Sequence, residues 1–379
     1  MQLIPYGRQS IDEEDIRAVM EVLHSDWLTT GPKVDEFERS ISDYCGCHNA
    51  VAVNSGTSAL DIAIQSLELP KGTEVITSPF TFAATSNAIL YNGLVPVYAD
   101  ISRDTRNIDP DEIRNKITKK TGALLFVDYA GQPCDITEMQ EICREYDLFM
   151  IEDACHALGA EYHGKKIGTL SDMTIFSFHP VKLITSGEGG MVTTNDPGRA
   201  DALRLLRSHG IDKTAHNLSE TGAAWAYDMV TLGRNYRMTD IQAALGISQA
   251  KKIDRFVQKR TKLSQFYHEL LQEIPQIQLP VILENVTHAW HLYTILLDGI
   301  KRDAVFTYLK SSNIGVNLHY IPTYHFSYYQ KNHPQNSSLF PVTEDVFNHI
   351  LTLPLYPELR EEDIQFIVET LKKAIQQIS

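Results

Sequence analysis

Lys182 is the residue through which this chain is best placed to do covalent chemistry. It lies in SFHPVKLITSGEGG, Ser177 to Gly190, a polar, glycine-rich turn between the strand-like runs MTIFSF and MVTTND. A lysine leaving the end of a sheet can reach a ligand, and its amine becomes useful once its pKa is lowered or it is held as a Schiff base. One more solvated cation is the competing reading. What else lies at comparable places in the chain decides between them.

Asp153 is the second such group. It follows the apolar run Leu148 to Ile151, with Glu152 between, so its carboxylate is partly buried and needs a cationic or hydrogen-bonding partner. As a helix cap for the next segment it would need no further role. The third is the turn Gly56, Thr57 and Ser58, between the β-branched run Val51 to Val53 and a helix starting near Ala59. Strand, small-residue turn and helix start present free backbone N–H groups and a positive dipole end to an anion such as phosphate. Ser and Thr are equally ordinary caps there.

These groups need a scaffold that brings them together. Strand-like and helical runs alternate: Glu74 to Thr77 ahead of a turn with Phe80 and Phe82, then LVPVYADI, GALLFVDYAG, the helix ITEMQEICREYD, and a strand ending at Glu152 and Asp153. That alternation predicts a mainly parallel sheet covered on both faces, with ligands at the carboxyl ends of its strands. Thr57, Phe82, Asp128, Asp153 and Ser177 all fall at such ends. A lysine for an aldehyde, a carboxylate for a pyridine nitrogen and helix-start donors for a phosphate are together the anchors of pyridoxal 5'-phosphate.

Composition narrows the classes. The chain has 379 residues, 43% hydrophobic, and a formal net charge of −14. That is ample for a large domain and a smaller one, and the acidic balance argues against nucleic acid. No run approaches the roughly eighteen apolar residues of a membrane helix, and the opening MQLIPYGRQSIDEED has no signal-like apolar middle, so the expected location is the cytoplasm. Five cysteines form no disulfide framework and no metal-site spacing, and reduced, non-catalytic thiols are expected. Asn-x-Ser/Thr triplets begin at Asn217, Asn285 and Asn336, and without a leader they carry little meaning.

NSGTSAL, TFAATSNAI, DYAG, EDACHALGAEY, SFHPVKLITSGEGG, LRSHGI, LGRNYRMTDIQAALGISQ and LHYIPTY, spread from about Tyr6 to Tyr324, resemble the DegT/DnrJ/EryC1/StrS sugar aminotransferases. The resemblance implies a fold-type I pyridoxal phosphate transferase, aspartate aminotransferase-like, with a large domain over residues 1–246 and a smaller α+β domain over 247–379. It implies Lys182 as the Schiff-base lysine, Asp153 at the pyridine nitrogen, Phe82 against one ring face and His156 near the cofactor. Gly56, Thr57 and Ser177 would hold the phosphate, with Asn235 supplied by the neighbouring subunit of a homodimer.

By the same resemblance the partners are L-glutamate and a UDP-linked 4-keto-6-deoxy sugar. Sugar contacts would come from Tyr6, Trp27, Leu28, Thr29 and Thr30 near the amino end, and from His319, Tyr320 and His325. Arg234 or Arg237 of the partner subunit would meet the diphosphate, although relatives often carry histidine at position 234. Glu188 either orders the cofactor loop and substrate or is a turn residue.

Three rivals remain. Dehydratase relatives carry histidine in place of Lys182, which counts against that activity. A nicotinamide-dependent oxidoreductase lacks its GxGxxG here. A non-catalytic protein that kept the fold is the third. Beyond Gly246, a charged helical stretch leads to the strands HLYTILLDG and GVNLHY, a turn-rich surface loop HFSYYQKNHPQNSSLFP and a final amphipathic helix.

Overall fold

The computed structural model describes residues 3–212 and 225–378; Asn217 lies outside them. Seven strands form the central sheet: β1 (Asn49–Val53), β2 (Glu74–Thr77), β3 (Val95–Tyr98), β4 (Thr121–Val127), β5 (Phe149–Asp153), β6 (Met173–Ser177) and β7 (Gly190–Thr194). Their order is β1-β7-β6-β5-β4-β2-β3. Pairing is parallel from β6 through β3 and antiparallel on both sides of β7, so one strand alone is reversed.

Both faces of this sheet are apolar because successive side chains on a strand point opposite ways. Leu124 and Phe126 of β4 join one core with Met150, Phe176 and Met191. Ala123 and Leu125 join the other with Val53, Ile151 and Ile175. The expected parallel-rich, doubly covered sheet is therefore present, and strands β1, β5 and β6 end on one edge.

A second core gathers around a three-stranded antiparallel sheet of β8 (Ile277–Gln278), β9 (Tyr293–Leu297) and β10 (Ile350–Leu353). Helices Arg302–Ser311 and Glu361–Ile378 cover it. Residue 246 falls inside helix Asp240–Ala250. The two cores meet farther on, along helix Ile253–Leu271: Ile253 and Phe256 pack on the large sheet, whereas Leu263, Tyr267 and Leu271 pack on the small one. The amino-terminal arm also crosses between them, since Ile4 is buried in the second core and bridges Ile314.

Local chemistry explains several ends. Asp12 caps helix Glu13–Leu23, and it forms a capping box with Asp15. Two expectations fail. GVNLHY forms only an isolated bridge, Asn317 to Thr352, because the chain then turns toward the large sheet. The segment read as a surface loop contains helix Ser327–Asn332 and buries Tyr329 and Phe340; Phe340 packs on Tyr98 and Tyr324. Two aromatic anchors outweigh its polar composition. Among the described residues no helix is long and apolar enough to cross a membrane.

Candidate active site

Beyond the ends of β5 and β6 lies a cavity of about 790 Å³ whose walls include Lys182, Asp153, Thr57, Ser177, Phe82 and His156. Asp153 closes β5 and is 4% exposed. Its Oδ2 accepts a 2.8 Å hydrogen bond from Thr85 Oγ1, and its Oδ1 accepts a 3.3 Å bond from the Cys155 N–H. The residues after it form turns rather than a helix, which removes the capping role.

Lys182 stands in the turn after β6, its backbone N–H bonded to the His179 carbonyl at 2.9 Å. Among the described residues no hydrogen bond or ion pair occupies its amine. Burial lowers its pKa from the ordinary lysine value, partly offset by Cys155 and Asp153. The solvated-cation reading fails on that placement.

Helix Gly56–Gln65 begins at the same edge. Its cap is Ser55, whose hydroxyl accepts from the Ser58 N–H at 3.1 Å. Thr57 is thereby left free to face the cavity. A Cβ on Gly56 would lie 2.9 Å from the Ser177 Cβ, so the absence of a side chain lets the helix start approach the end of β6. Two strand ends and the first-turn amides of Gly56 and Thr57 thus surround one anion-sized region.

The far wall comes from the amino-terminal arm and the segment that follows Asn317. Tyr6, His319 and Tyr320 line the cavity; the Tyr6 and His319 rings are 5.4 Å apart. Tyr320 Oη lies 2.9 Å from His156 Nε2, and His156 packs on His291 at 4.3 Å between ring centroids. Burial pushes both imidazoles well below the usual histidine range, and neighbouring basic groups lower them further. His156 Nδ1 is buried without a partner. Phe82 is 62% exposed at the mouth, 6.2 Å from the Tyr320 ring, and Glu188 sits exposed on the rim.

Thr85, His291 and Cys155 were not singled out from the sequence. Thr85 lies one helical turn after Phe82, but only the fold shows that its hydroxyl aims at Asp153. His291 sits in HLYTILL, whose apolar pattern reads as strand alone.

Seven expected contacts stand outside this cavity within the single chain. Trp27, Thr30 and Arg237 line a separate cavity of about 580 Å³ with Arg204 and Arg207. Leu28 and Thr29 run beside it, tied to Asp240 and Thr239 by backbone contacts. Asn235 bridges Ser208. His325 is turned away because its Nε2 bonds Glu344 Oε1 at 2.7 Å. Of the two candidate arginines, Arg234 is engaged by buried Asp61 at 3.0 Å, whereas Arg237 reaches Ser208 Oγ at 3.4 Å. Asp128 is the exception among the strand-end residues: it is fully buried behind the cavity rather than in it.

Residues 9–372 match the DegT/DnrJ/EryC1/StrS aminotransferase family. The chain belongs to that family. Within it, this aminotransferase is 38% identical over 386 aligned positions to the UDP-4-amino-4,6-dideoxy-N-acetyl-beta-L-altrosamine transaminase of Campylobacter jejuni, covering 99% of this chain and 98% of that one. Helicobacter pylori PseC, an aminotransferase involved in the biosynthesis of pseudaminic acid, superposes with a TM-score of 0.94 at 32% identity over all of both chains. Spr1654 from Streptococcus pneumoniae in its PLP-form superposes at 0.92 with 30% identity, again over all of both chains. The aminotransferase fold expected from the motifs is the fold observed.

The residues present fit pyridoxal phosphate. They offer an unpartnered amine, a carboxylate oriented by two hydrogen bonds, first-turn amides at a helix start and a buried imidazole nitrogen still lacking a partner.

Proposed function

We propose that this chain is a pyridoxal phosphate-dependent transaminase that moves the amino group of L-glutamate to C4 of a UDP-linked 4-keto-6-deoxy-N-acetylhexosamine. The product is UDP-4-amino-4,6-dideoxy-N-acetyl-β-L-altrosamine, on the route to pseudaminic acid, made in the cytoplasm by a homodimer. The observation that carries the reading is the free, pKa-lowered amine of Lys182 sharing one cavity with Asp153. The likeness to PseC and to the Campylobacter enzyme supports the substrate.

Bound there, the cofactor supplies an aldehyde that carries the amino group and a ring that takes up electron density. Lys182 then moves the proton to and from the substrate carbon bearing nitrogen, a role that requires the neutral amine. Asp153, steadied by Thr85, keeps a proton on the ring nitrogen. Gly56, Thr57 and Ser177 bind phosphate at the sheet edge, and His156 presents its free nitrogen to the ring. Phe82 covers a ring face. Tyr6, His319 and Tyr320 close the wall and exclude water.

In the homodimer Asn235 completes the partner's phosphate site. Arg237, which makes no ion pair among the described residues, meets the diphosphate from the second cavity, beside Trp27 and Thr30. A guanidinium matches phosphate oxygens in a bidentate way.

The test is to load the protein with pyridoxal phosphate and glutamate and offer a panel of UDP- and dTDP-linked 4-keto sugars. The expected result is amino transfer at C4, fastest with the UDP-linked 4-keto-6-deoxy-N-acetyl sugar. Transfer only to another nucleotide sugar would replace the substrate, and no response to glutamate would leave a binding protein.

A further inference from the structure

Directly behind Asp153 lie two more carboxyls, Asp128 just past β4 and Glu152 on β5, both 0% exposed. The register pairs Val127 with Asp153, and the Asp128 N–H donates to the Asp153 carbonyl at 3.2 Å. On adjacent strands, with Phe126 opposite Glu152 and Val127 opposite Asp153, Asp128 is a near neighbour of Glu152, and the two acids act on each other electrostatically. Asp128 Oδ1 accepts from the Cys134 N–H at 2.9 Å, and Glu152 Oε2 accepts from Thr174 at 2.8 Å and Ser171 at 3.2 Å. Asp128 Oδ2 and Glu152 Oε1 are buried with no hydrogen-bond partner among the described residues. Among the described residues no Lys, Arg or His makes an ion pair with either carboxyl.

Two ionised carboxylates facing each other in a fully buried site repel and are poorly solvated. One proton placed between the unused oxygens removes both costs. The acid with more donors holds the negative charge better, and Glu152 has two hydroxyls where Asp128 has one amide.

We propose that Asp128 is a protonated acid at neutral pH, donates its hydrogen to Glu152, and serves as a positioning residue that braces Asp153 through the joined ends of β4 and β5. This rests on the assignment of Asp153 to the cofactor ring. The titratable groups facing the pair are Asp153, Cys134, Asp135 beside Cys134, and Cys45 from helix Pro32–Cys45. Burial raises both thiols, so none of these groups brings a positive charge. Burial, followed by Glu152, raises Asp128 well above the usual carboxyl range.

The linkage sign follows. A carboxyl whose folded pKa is raised contributes stability that is full below its unfolded value and lost as pH rises toward the folded value. Asparagine mimics the protonated acid, because its amide can donate to Glu152 and accept from Cys134.

The experiment compares wild type, Asp128→Asn and Asp128→Ala. Infrared difference spectra of the cofactor-free protein at neutral pH should show a deuterium-sensitive carboxylic-acid C=O band that Asp128→Asn removes. The unfolding midpoint of wild type should fall more steeply with rising pH than that of Asp128→Asn. Asp128→Asn should retain pyridoxal phosphate as wild type does, whereas Asp128→Ala should bind it at least about tenfold more weakly, the factor of one pKa unit. Absence of the infrared band, equal pH slopes, or an asparagine variant as impaired as the alanine one would each overturn the proposal. If Asp128→Ala does not fold, the wild-type and asparagine arms still decide. If no variant binds the cofactor while the band is present, the cofactor assignment fails and the shared proton stands.

Discussion

Thr85 Oγ1 donates to Asp153 Oδ2 at 2.8 Å, joining the helix after β2 to the carboxyl end of β5. Both residues are buried, and Thr85 is itself held by Thr81 at 3.0 Å. One carboxylate oxygen is thus anchored by a side chain and the other by a backbone amide. Hydrogen bonds to a charged group are worth about 1.5–3 kcal/mol. Thr85→Val keeps the shape and removes the donor, so amino transfer should slow by about tenfold or more, with Thr85→Ser restoring most of it. Single-turnover rates with glutamate measure this; an unaffected valine variant would remove Thr85 from the site.

Lys182→Ala removes the only proton-transfer group assigned to the substrate carbon. Turnover should vanish while the phosphate and ring contacts still retain cofactor. The half-reaction with glutamate and a separate cofactor-binding titration distinguish the two effects. Residual turnover close to wild type would show that another base serves.

Gly56→Ala places a methyl 2.9 Å from the Ser177 Cβ and 3.3 Å from the Cys155 sulfur. Overpacking of this kind costs about 1–3 kcal/mol, and here it also pushes the phosphate-facing helix start away from β6. A lower melting temperature and weaker cofactor binding are expected together. Loss of stability with unchanged phosphate affinity would separate Gly56 from the anion site.

The buried histidines set the acid side of the stability profile. His288 and His319 are pushed down to about 3 by burial, and His156 and His291 well below the ordinary range. These groups are neutral in the folded protein, while the unfolded chain takes up protons below about pH 6.5. Their contribution is therefore full above about 6.5 and lost as pH falls toward 3. Melting temperatures measured from neutral to about pH 4 should fall less steeply for His291→Gln than for wild type. Matching slopes would mean His291 is not buried in its neutral form.

The scaffold and its chemical edge are legible in local residue patterns. Runs such as Val51 to Val53 and Leu124 to Val127, each followed by a turn, declare strands and their ends through local pattern, and a residue at a strand end must lie on the edge of the sheet. Thr57, Asp153, Ser177 and Lys182 could be grouped for that reason, as could the family motifs that contain them. Which side chains meet across long separations emerges from the folded chain. It turned Asp128 into the interior against Glu152 and aimed Thr85 at Asp153. It brought Tyr6 and Tyr320 onto the far wall, and it gathered Trp27, Thr30 and Arg237 into a cavity of their own. The polar loop from His325 to Pro341 likewise became structured because Tyr329 and Phe340 found apolar sites elsewhere in the chain. Periodicity reports which face of an element is buried; the residue that faces it comes from another element, and local pattern carries no record of that pairing.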